Sequence, residues 1–251
     1  MSEYYKGKRT RNLYDPKSTE PFSLSRSKID LYIECPRCFY IDRRLGVGRP
    51  PGFPFAINSA VDKLLKQEFD IHRAKGSAHP LMEKYGLDAV PAQHPNIDVW
   101  RENFKGVQYL HKPTNLNITG AIDDLWQGSD GKYMVVDYKA TSKDEEITEL
   151  NKGWQDGYKR QMEIYQWLLR KNDLDVSDTG YFVYCNGRTD RAAFDGRIDF
   201  DITLIAYKGS DTWIPKTLTA IHKALQSASV PDASVNCDYC LYRNHVDKVL
   251  S

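Results

Sequence analysis

Two Cys-x2-Cys pairs stand near opposite ends of this chain, Cys35 with Cys38 and Cys237 with Cys240. Together they supply four thiolates, which is a complete ligand set for a tetrahedral zinc ion or for an iron–sulfur cluster. A metal bound by all four would close a loop of about 200 residues and would strongly restrict the unfolded chain. We therefore expect the fold to bring the two ends of the sequence together.

The composition indicates a globular protein. Five cysteines, an odd number, do not suit a disulfide framework. Hydrophobic residues make up 41% and charged residues 27%, and the longest apolar stretches are far too short to span a membrane. Because the N-terminal residues also lack the apolar segment of a secretory signal, we predict a cytoplasmic protein without a membrane partner. The net charge of +1 excludes a uniformly basic surface, although residues 1–50 carry 11 Lys and Arg against 6 Asp and Glu.

Hydrophobic periodicity predicts an α/β fold in which a mixed β-sheet is flanked by helices, with an α+β arrangement of the same elements as the alternative. The N-terminal part is helical, over residues 25–44 and 55–74. The elements after it are, in chain order, strands over 107–111, 117–127 and 132–141, a helix over 154–171, strands over 179–186 and 198–207, and a helix over 212–227. Residues 1–22 are polar and aperiodic, which predicts a flexible basic arm. Residues 23–251 then form a single domain whose ends are joined at the metal.

One predicted hairpin brings acidic residues together. Asp137 and Lys139 are two residues apart in a strand, so their side chains lie on one face. If residues 129–131 form a three-residue loop with Gly131 in the left-handed conformation, Asp123 lies directly opposite Asp137. A four-residue loop would instead turn Asp123 to the other face.

This hairpin predicts a divalent-cation site. Two facing carboxylates repel each other and destabilise a sheet unless a positive charge lies near them. Lys139 supplies one such charge, and a hard cation such as Mg²⁺, which prefers carboxylate oxygens and water, supplies a stronger one. The alternative is that Asp123, Asp137 and Lys139 are solvated residues on the exposed side of the sheet.

Several short motifs resemble those of a known family. In chain order they are Ser23-Leu24-Ser25-Arg26-Ser27, Cys35-Pro36-Arg37, Gly120-Ala121-Ile122-Asp123, Val135-Val136-Asp137-Tyr138-Lys139-Ala140-Thr141 and Gln161-x3-Tyr165. Their order and spacing resemble the RecB-like branch of the PD-(D/E)XK nuclease superfamily. Within that branch they are most similar to its iron–sulfur members, including the exonucleases associated with CRISPR adaptation and the AddB nuclease domain. The resemblance covers residues 23 to 242.

The resemblance implies an active site that holds Mg²⁺ or Mn²⁺. It makes Asp123 and Asp137 metal ligands, adds Tyr138 to the metal site, and makes Lys139 the catalytic lysine. It also adds Gln161 and Tyr165 to the catalytic set, because they match the family's motif on the helix after the hairpin. They are one helical turn apart and therefore share a face. A buried polar pair that serves only helix packing is the alternative for these two residues.

The chain departs from the family pattern at two places. Relatives carry a metal-binding His on the early helix, and the aligned residue here is Asp62, which we expect to bind the metal. An exposed helix residue is the alternative. Relatives also hold a 4Fe-4S cluster with one N-terminal and three C-terminal cysteines, whereas this chain has two and two. We expect a 4Fe-4S cluster at Cys35, Cys38, Cys237 and Cys240, with Zn²⁺ as the alternative, and we expect Cys185 to be a buried strand residue.

These features together predict a metal-dependent deoxyribonuclease, specifically an exonuclease on single-stranded DNA, with aromatic side chains available for stacking on bases. An integrase or a helicase is the candidate protein partner. Basic side chains expected to contact the DNA backbone are Arg26, Lys28, Arg37, Arg43, Arg44 and Arg49. Two alternatives stay open: a non-cleaving nucleic-acid-binding or assembly subunit with a structural four-cysteine site, and a structural metal protein whose acidic residues have no catalytic role.

Overall fold

The structure is a computed structural model that describes residues 7–52 and 56–251. Its helices are α1 (Arg26–Glu34), α2 (Pro36–Arg43), α3 (Ala56–Lys75), α4 (Pro80–Lys84), α5 (Ile97–Trp100), α6 (Asp156–Arg170), α7 (Ile214–Gln226) and α8 (Asp238–Leu250). Its strands are β1 (Phe22–Ser25), β2 (Ala89–Pro91), β3 (Val107–His111), β4 (Leu116–Gly120), β5 (Asp124–Gly128), β6 (Tyr133–Thr141), β7 (Thr179–Gly187) and β8 (Phe200–Lys208). None of the described helices is both long and apolar enough to cross a membrane.

The strands form two sheets. One has the order β1-β4-β3, with β1 and β4 parallel. The other has the order β2-β5-β6-β7-β8, in which β6 and β7 are parallel and the remaining neighbours are antiparallel. Helices α3 and α6 both pack against β6. A mixed sheet flanked by helices confirms the predicted α/β fold class.

The described residues divide into two compact units, where the sequence predicts one domain over residues 23–251. The first unit contains residues 7–52, 109–119 and 212–251, and the second contains residues 56–108 and 120–211. In the first unit, α1, α2 and α7 pack against one another. In the second, α3 covers a core that includes Phe69, Trp126, Val136 and Val183.

The helix predicted over residues 25–44 is interrupted at Cys35. This residue is extended (φ −159°, ψ 104°) and separates α1 from α2. The cause is Pro36, because a proline disfavours helical geometry in the residue before it and cannot donate a helical hydrogen bond. As the first residue of α2, Pro36 is well placed, since that position needs no donor. The break places Cys35 and Cys38 at the start of a separate helix.

The basic arm predicted for residues 1–22 is held in place over its described part, residues 7–22. Tyr14 is buried, its ring meets Phe22 edge to face, and its backbone N–H donates to the carbonyl of Arg43. Arg9 forms an ion pair with Asp42, at 2.9 Å. These contacts contradict a loosely held segment for residues 7–22, whereas residues 1–6 lie outside the described part of the chain, as does Phe55 of the second predicted helix.

The strand predicted over residues 117–127 is two strands that belong to different sheets. The break falls at residues 121–123, where the N–H of Ile122 donates to the carbonyl of Trp100 and the Ile122 side chain is fully buried. Gly120 lies against Tyr165: a Cβ at this glycine would stand 2.7 Å from the ring. Because these contacts are tertiary, strand periodicity alone misses the break.

We expect Gly120→Ala to lower the free energy of unfolding by about 1–3 kcal/mol, because the added methyl group would overlap the Tyr165 ring. Gly153→Ala is the matched control, since a Cβ there would meet nothing within 4 Å. That substitution should change stability by less than about 0.5 kcal/mol. Urea denaturation of the three proteins measures the difference, and equal stabilities would contradict the packing role of Gly120.

Candidate active site

The predicted hairpin register is confirmed. Asp124 pairs with Val136, so the preceding residue, Asp123, lies beside Asp137. The loop also has the predicted form: the N–H of Gly128 donates to the carbonyl of Lys132, and Gly131 has φ +82°. A glycine takes this left-handed conformation without steric cost. The turn therefore sets the register that brings the two carboxylates together.

Asp137 is fully buried, and its two carboxylate oxygens have different environments. Oδ1 accepts a hydrogen bond of 2.7 Å from the side chain of Gln161 on α6. Oδ2 forms an ion pair with the ammonium of Lys139, yet it has no hydrogen-bond partner of normal geometry among the described residues. A buried carboxylate oxygen in this state fits the donor set that a hard divalent cation requires.

Asp123 completes the acidic pair. Its Oδ2 accepts a hydrogen bond of 2.9 Å from the backbone N–H of Tyr138. Burial and the nearby charge of Asp137 raise the pKa of Asp123 to about 6. Burial alone would lower the pKa of the Lys139 ammonium, but the charges of Asp137 and Asp123 outweigh it and raise that pKa. The site thus concentrates negative charge, which is what binding a dication needs.

Lys66 is a site residue that the sequence analysis missed. Its ammonium lies 2.9 Å from Asp62 and 3.7 Å from Asp123, so it bridges the two carboxylates. The structure therefore places Asp62 at the acidic pair. A sequence signal was present, because Asp62 and Lys66 are four residues apart and side chains at that spacing meet on a helix.

Gln161 and Tyr165 lie on the buried face of α6, as their spacing predicts. The Gln161 side chain donates to Asp137 and, at 3.2 Å, to the Tyr165 hydroxyl. Tyr138 behaves differently, because its side chain points to the opposite face of β6 and its hydroxyl donates to Asp124 at 2.8 Å. Its hydroxyl is thus committed elsewhere, and only its main chain adjoins the acidic pair.

Asp124 is the centre of a buried network that the sequence analysis also missed. It is fully buried and forms ion pairs with Arg73 of α3 and with Arg101. The half-exposed Asp70 accepts from the same two guanidinium groups. These contacts connect α3 to the first residue of β5 and thereby fix the backbone that carries Asp123.

The four cysteines of the two Cys-x2-Cys pairs meet in the first unit, which confirms that the fold brings them together. Every pair of sulfur atoms lies within 4.8 Å, and the Sγ–Sγ distances include 3.5 Å for Cys38–Cys237 and 3.8 Å for Cys35–Cys240. All four side chains are buried, and the guanidinium of Arg49 lies 3.5 Å from the Cys237 sulfur. Cys185 lies apart from this cluster, buried in β7 as predicted.

The sulfur spacing fits one ion better than a cluster. Zinc–sulfur bonds of about 2.3 Å in a tetrahedron place sulfurs about 3.8 Å apart. In a 4Fe-4S cluster each thiolate binds a different iron, so the whole inorganic core must fit between the four sulfurs and spread them further apart. Sulfur atoms all within 4.8 Å of one another match the spacing around a single tetrahedral ion more closely.

Most of the basic residues expected to contact DNA make internal contacts instead. Lys28 and the buried Arg43 form ion pairs with Asp42. Arg37, Arg44 and Arg49 donate, respectively, to the carbonyl of Pro231, the carbonyl of Tyr14 and the carboxylate of Glu34. Arg26 is half-buried. Composition alone cannot distinguish cations that stabilise a fold from cations that bind phosphate.

Known proteins offer a comparison for this geometry. The family model of the PD-(D/E)XK nuclease superfamily matches residues 57–245, which is well over half of the chain. No curated protein matches this chain. Among solved structures, the crystal structure of SSO0001 is 16% identical, with 90% of this chain and 86% of that chain covered and a TM-score of 0.36.

We expect Asp124→Asn to lower the free energy of unfolding by about 3–5 kcal/mol, because it removes the fully buried one of the two carboxylates that pair with Arg73 and Arg101. Asp70→Asn is the matched control, since it makes the same chemical change beside the same arginines at a half-exposed position. That control should cost less than about 1 kcal/mol. Urea denaturation measures both, and equal losses would show that Asp124 does not organise the network.

Proposed function

Because this chain belongs to the PD-(D/E)XK nuclease superfamily, we propose that it is a metal-dependent DNA nuclease that acts as an exonuclease on single-stranded DNA. The observation that carries this proposal is the convergence of Asp123, Asp137 and Lys139 at one place. Asp137 Oδ2 is buried there without a hydrogen bond of normal geometry. If the Lys139–Asp137 ion pair served stability alone, it would not require the second carboxylate of Asp123 directly beside it.

Asp123 and Asp137 would hold Mg²⁺ or Mn²⁺, with Asp62 as a third carboxylate near the pair. Such a cation, when bound, polarises a phosphodiester, lowers the pKa of water and neutralises charge in the transition state. Three carboxylates favour hard cations of this kind over softer metals. Tyr138 would bind the metal through its main-chain carbonyl and not through its hydroxyl, since the hydroxyl donates to Asp124.

Lys139 would act on the reacting oxygens. Its ammonium lies at Asp137, so it can donate a hydrogen bond to the attacking water or to a phosphate oxygen that gains charge. Gln161 would act as a positioning residue, because its amide holds Asp137 Oδ1 and thereby orients the other oxygen. Tyr165 in turn accepts a hydrogen bond from Gln161. Lys66 would keep Asp62 and Asp123 from repelling each other before metal binds.

The preference for single-stranded DNA and for exonuclease action is implied by the RecB-like resemblance, as are an integrase or helicase partner and a cytoplasmic location. Exposed aromatic side chains support a single-stranded substrate, since Trp154 and Phe194 are available for stacking on unpaired bases. The competing function is a non-cleaving DNA-binding or assembly subunit. The replacement of the family's His by Asp62 favours that alternative.

For the four-cysteine site we propose one Zn²⁺ in place of the 4Fe-4S cluster that the resemblance implies. The sulfur spacing supports this choice. The guanidinium of Arg49 offsets part of the negative charge that four thiolates carry around one dication. This ion would serve structure, because all its ligands come from the protein and no coordination position stays open for a substrate.

We expect Lys139→Ala to reduce cleavage of end-labelled DNA in Mg²⁺ or Mn²⁺ by about 10²- to 10³-fold, because it removes a preorganised donor from the transition state. Lys132→Ala is the matched control at an exposed position in the hairpin loop. An unchanged melting temperature for both variants excludes unfolding. Parental activity in Lys139→Ala would refute the assignment, and DNA binding without cleavage by the parent would favour the assembly subunit.

For the cysteine site we expect protein purified without oxygen to be colourless and to contain one zinc per chain, with no iron or acid-labile sulfide. Replacing Cys237 and Cys240 by Ser should remove the zinc and lower the melting temperature, because bound metal contributes directly to folding. Cys185→Ala, at a buried cysteine outside the cluster, should keep the zinc. Brown protein with iron and sulfide in equal amounts would contradict zinc.

A further inference from the structure

A cavity of about 560 Å³ opens in the second unit beside the start of α3. Its walls come from the first turn of α3, the end of β6 and the segment that joins β7 to β8. A volume of this size is typical of sites for small organic groups. Neither the sequence motifs nor the family resemblance assigns it a role.

The cavity presents apolar and aromatic surface to solvent. Phe194 is 69% exposed and Ile57 is 56% exposed, although the periodicity of α3 predicts Ile57 as a core residue. Ile198 and Phe200 contribute further apolar surface. Apolar side chains gathered at one exposed place mark a binding site more often than scattered ones do.

The cavity wall also contains positively charged side chains. The wall contains three arginines, of which Arg188 forms an ion pair with Asp190 and Arg191 forms ion pairs with Asp195 and Asp199. Arg197, by contrast, is exposed and forms no ion pair with any residue in the described part of the chain. Its guanidinium is therefore available to an anionic group.

The cavity and the candidate active site share two elements, α3 and β6. Asn58 lines it, and Asn58, Asp62 and Lys66 follow one another at intervals of four residues along one face of α3. Lys66 reaches Asp123, while the Asn58 amide donates to the carbonyl of Ala140, the residue after Lys139. At 1.5 Å per residue, Asn58 lies about 6 Å along α3 from Asp62, which is on the scale of one nucleotide.

We propose that this cavity receives one unpaired nucleobase of the strand that is cut, next to the scissile phosphate; this inference rests on the proposed function. Phe194 stacks on the base and Arg197 pairs with an adjacent phosphate. Stacking on an aromatic ring tolerates every base, because each base has a π-face. A paired and stacked base cannot enter without being extruded from its duplex, so the cavity selects single strands.

The test measures kcat and KM on end-labelled single-stranded oligonucleotides, with binding measured separately in the Lys139→Ala background. Phe194→Ala should weaken binding about 5- to 100-fold, as loss of one stacking contact does. Phe194→Trp should restore binding. Phe104→Ala is the matched control, because Phe104 is fully exposed and lies outside the cavity wall.

A second arm places a single abasic nucleotide at successive positions near the scissile bond. At one position within about two nucleotides of that bond, the abasic nucleotide should lower the affinity of the parent protein for the oligonucleotide. At the same position it should not lower the affinity of Phe194→Ala any further. Equal behaviour of Phe194→Ala and Phe104→Ala, in a parent that cleaves DNA, would overturn the cavity's role and leave the proposed function intact. A parent that neither cleaves nor binds DNA would overturn both.

Discussion

The buried charge of Asp124 is the interaction on which the second unit depends. A fully buried carboxylate is costly unless cations and hydrogen-bond donors surround it, and this one has Arg73, Arg101 and the hydroxyl of Tyr138. Since the partners come from α3, from the segment after α5 and from β6, satisfying one charge fixes three separate parts of the chain. The position of the acidic pair follows from that constraint.

Two adjacent aspartates at the start of β5 have different surroundings. Asp124 is paired with Arg73 of α3 and with Arg101, whereas Asp123 lies beside Asp137. The pair of facing carboxylates is unfavourable by itself. Lys66 and Lys139 offset this repulsion, because each forms an ion pair with one of the two carboxylates. One aspartate contributes to stability, and the next is the metal ligand that we propose.

The sequence predicted those parts of the fold that depend on residues close to one another in the chain. The hairpin register follows from a glycine turn and from strand alternation. The helix break at Cys35 follows from Pro36, but helical periodicity alone predicted an unbroken helix there. The strand break before Asp123 could not be predicted, because it depends on Trp100 and Tyr165, which are remote in sequence. The pairing of Arg73 with Asp124 spans 51 residues and has no local signature. Among the site residues, Lys66 was within reach of sequence reasoning because of its spacing from Asp62.

The cysteine cluster has a consequence for the order in which the chain matures during synthesis. Its cysteines come from residues 35–38 and 237–240, so the proposed metal could be bound by all four only after nearly all of the described chain has left the ribosome. The second unit draws on residues 56–211 and is complete before Cys237 is made. Because domains generally fold as their residues emerge, we expect the second unit to fold before the four cysteines come together. The nascent chain therefore carries two exposed N-terminal thiols through most of translation, a period in which oxidation or capture by a wrong metal competes with correct assembly.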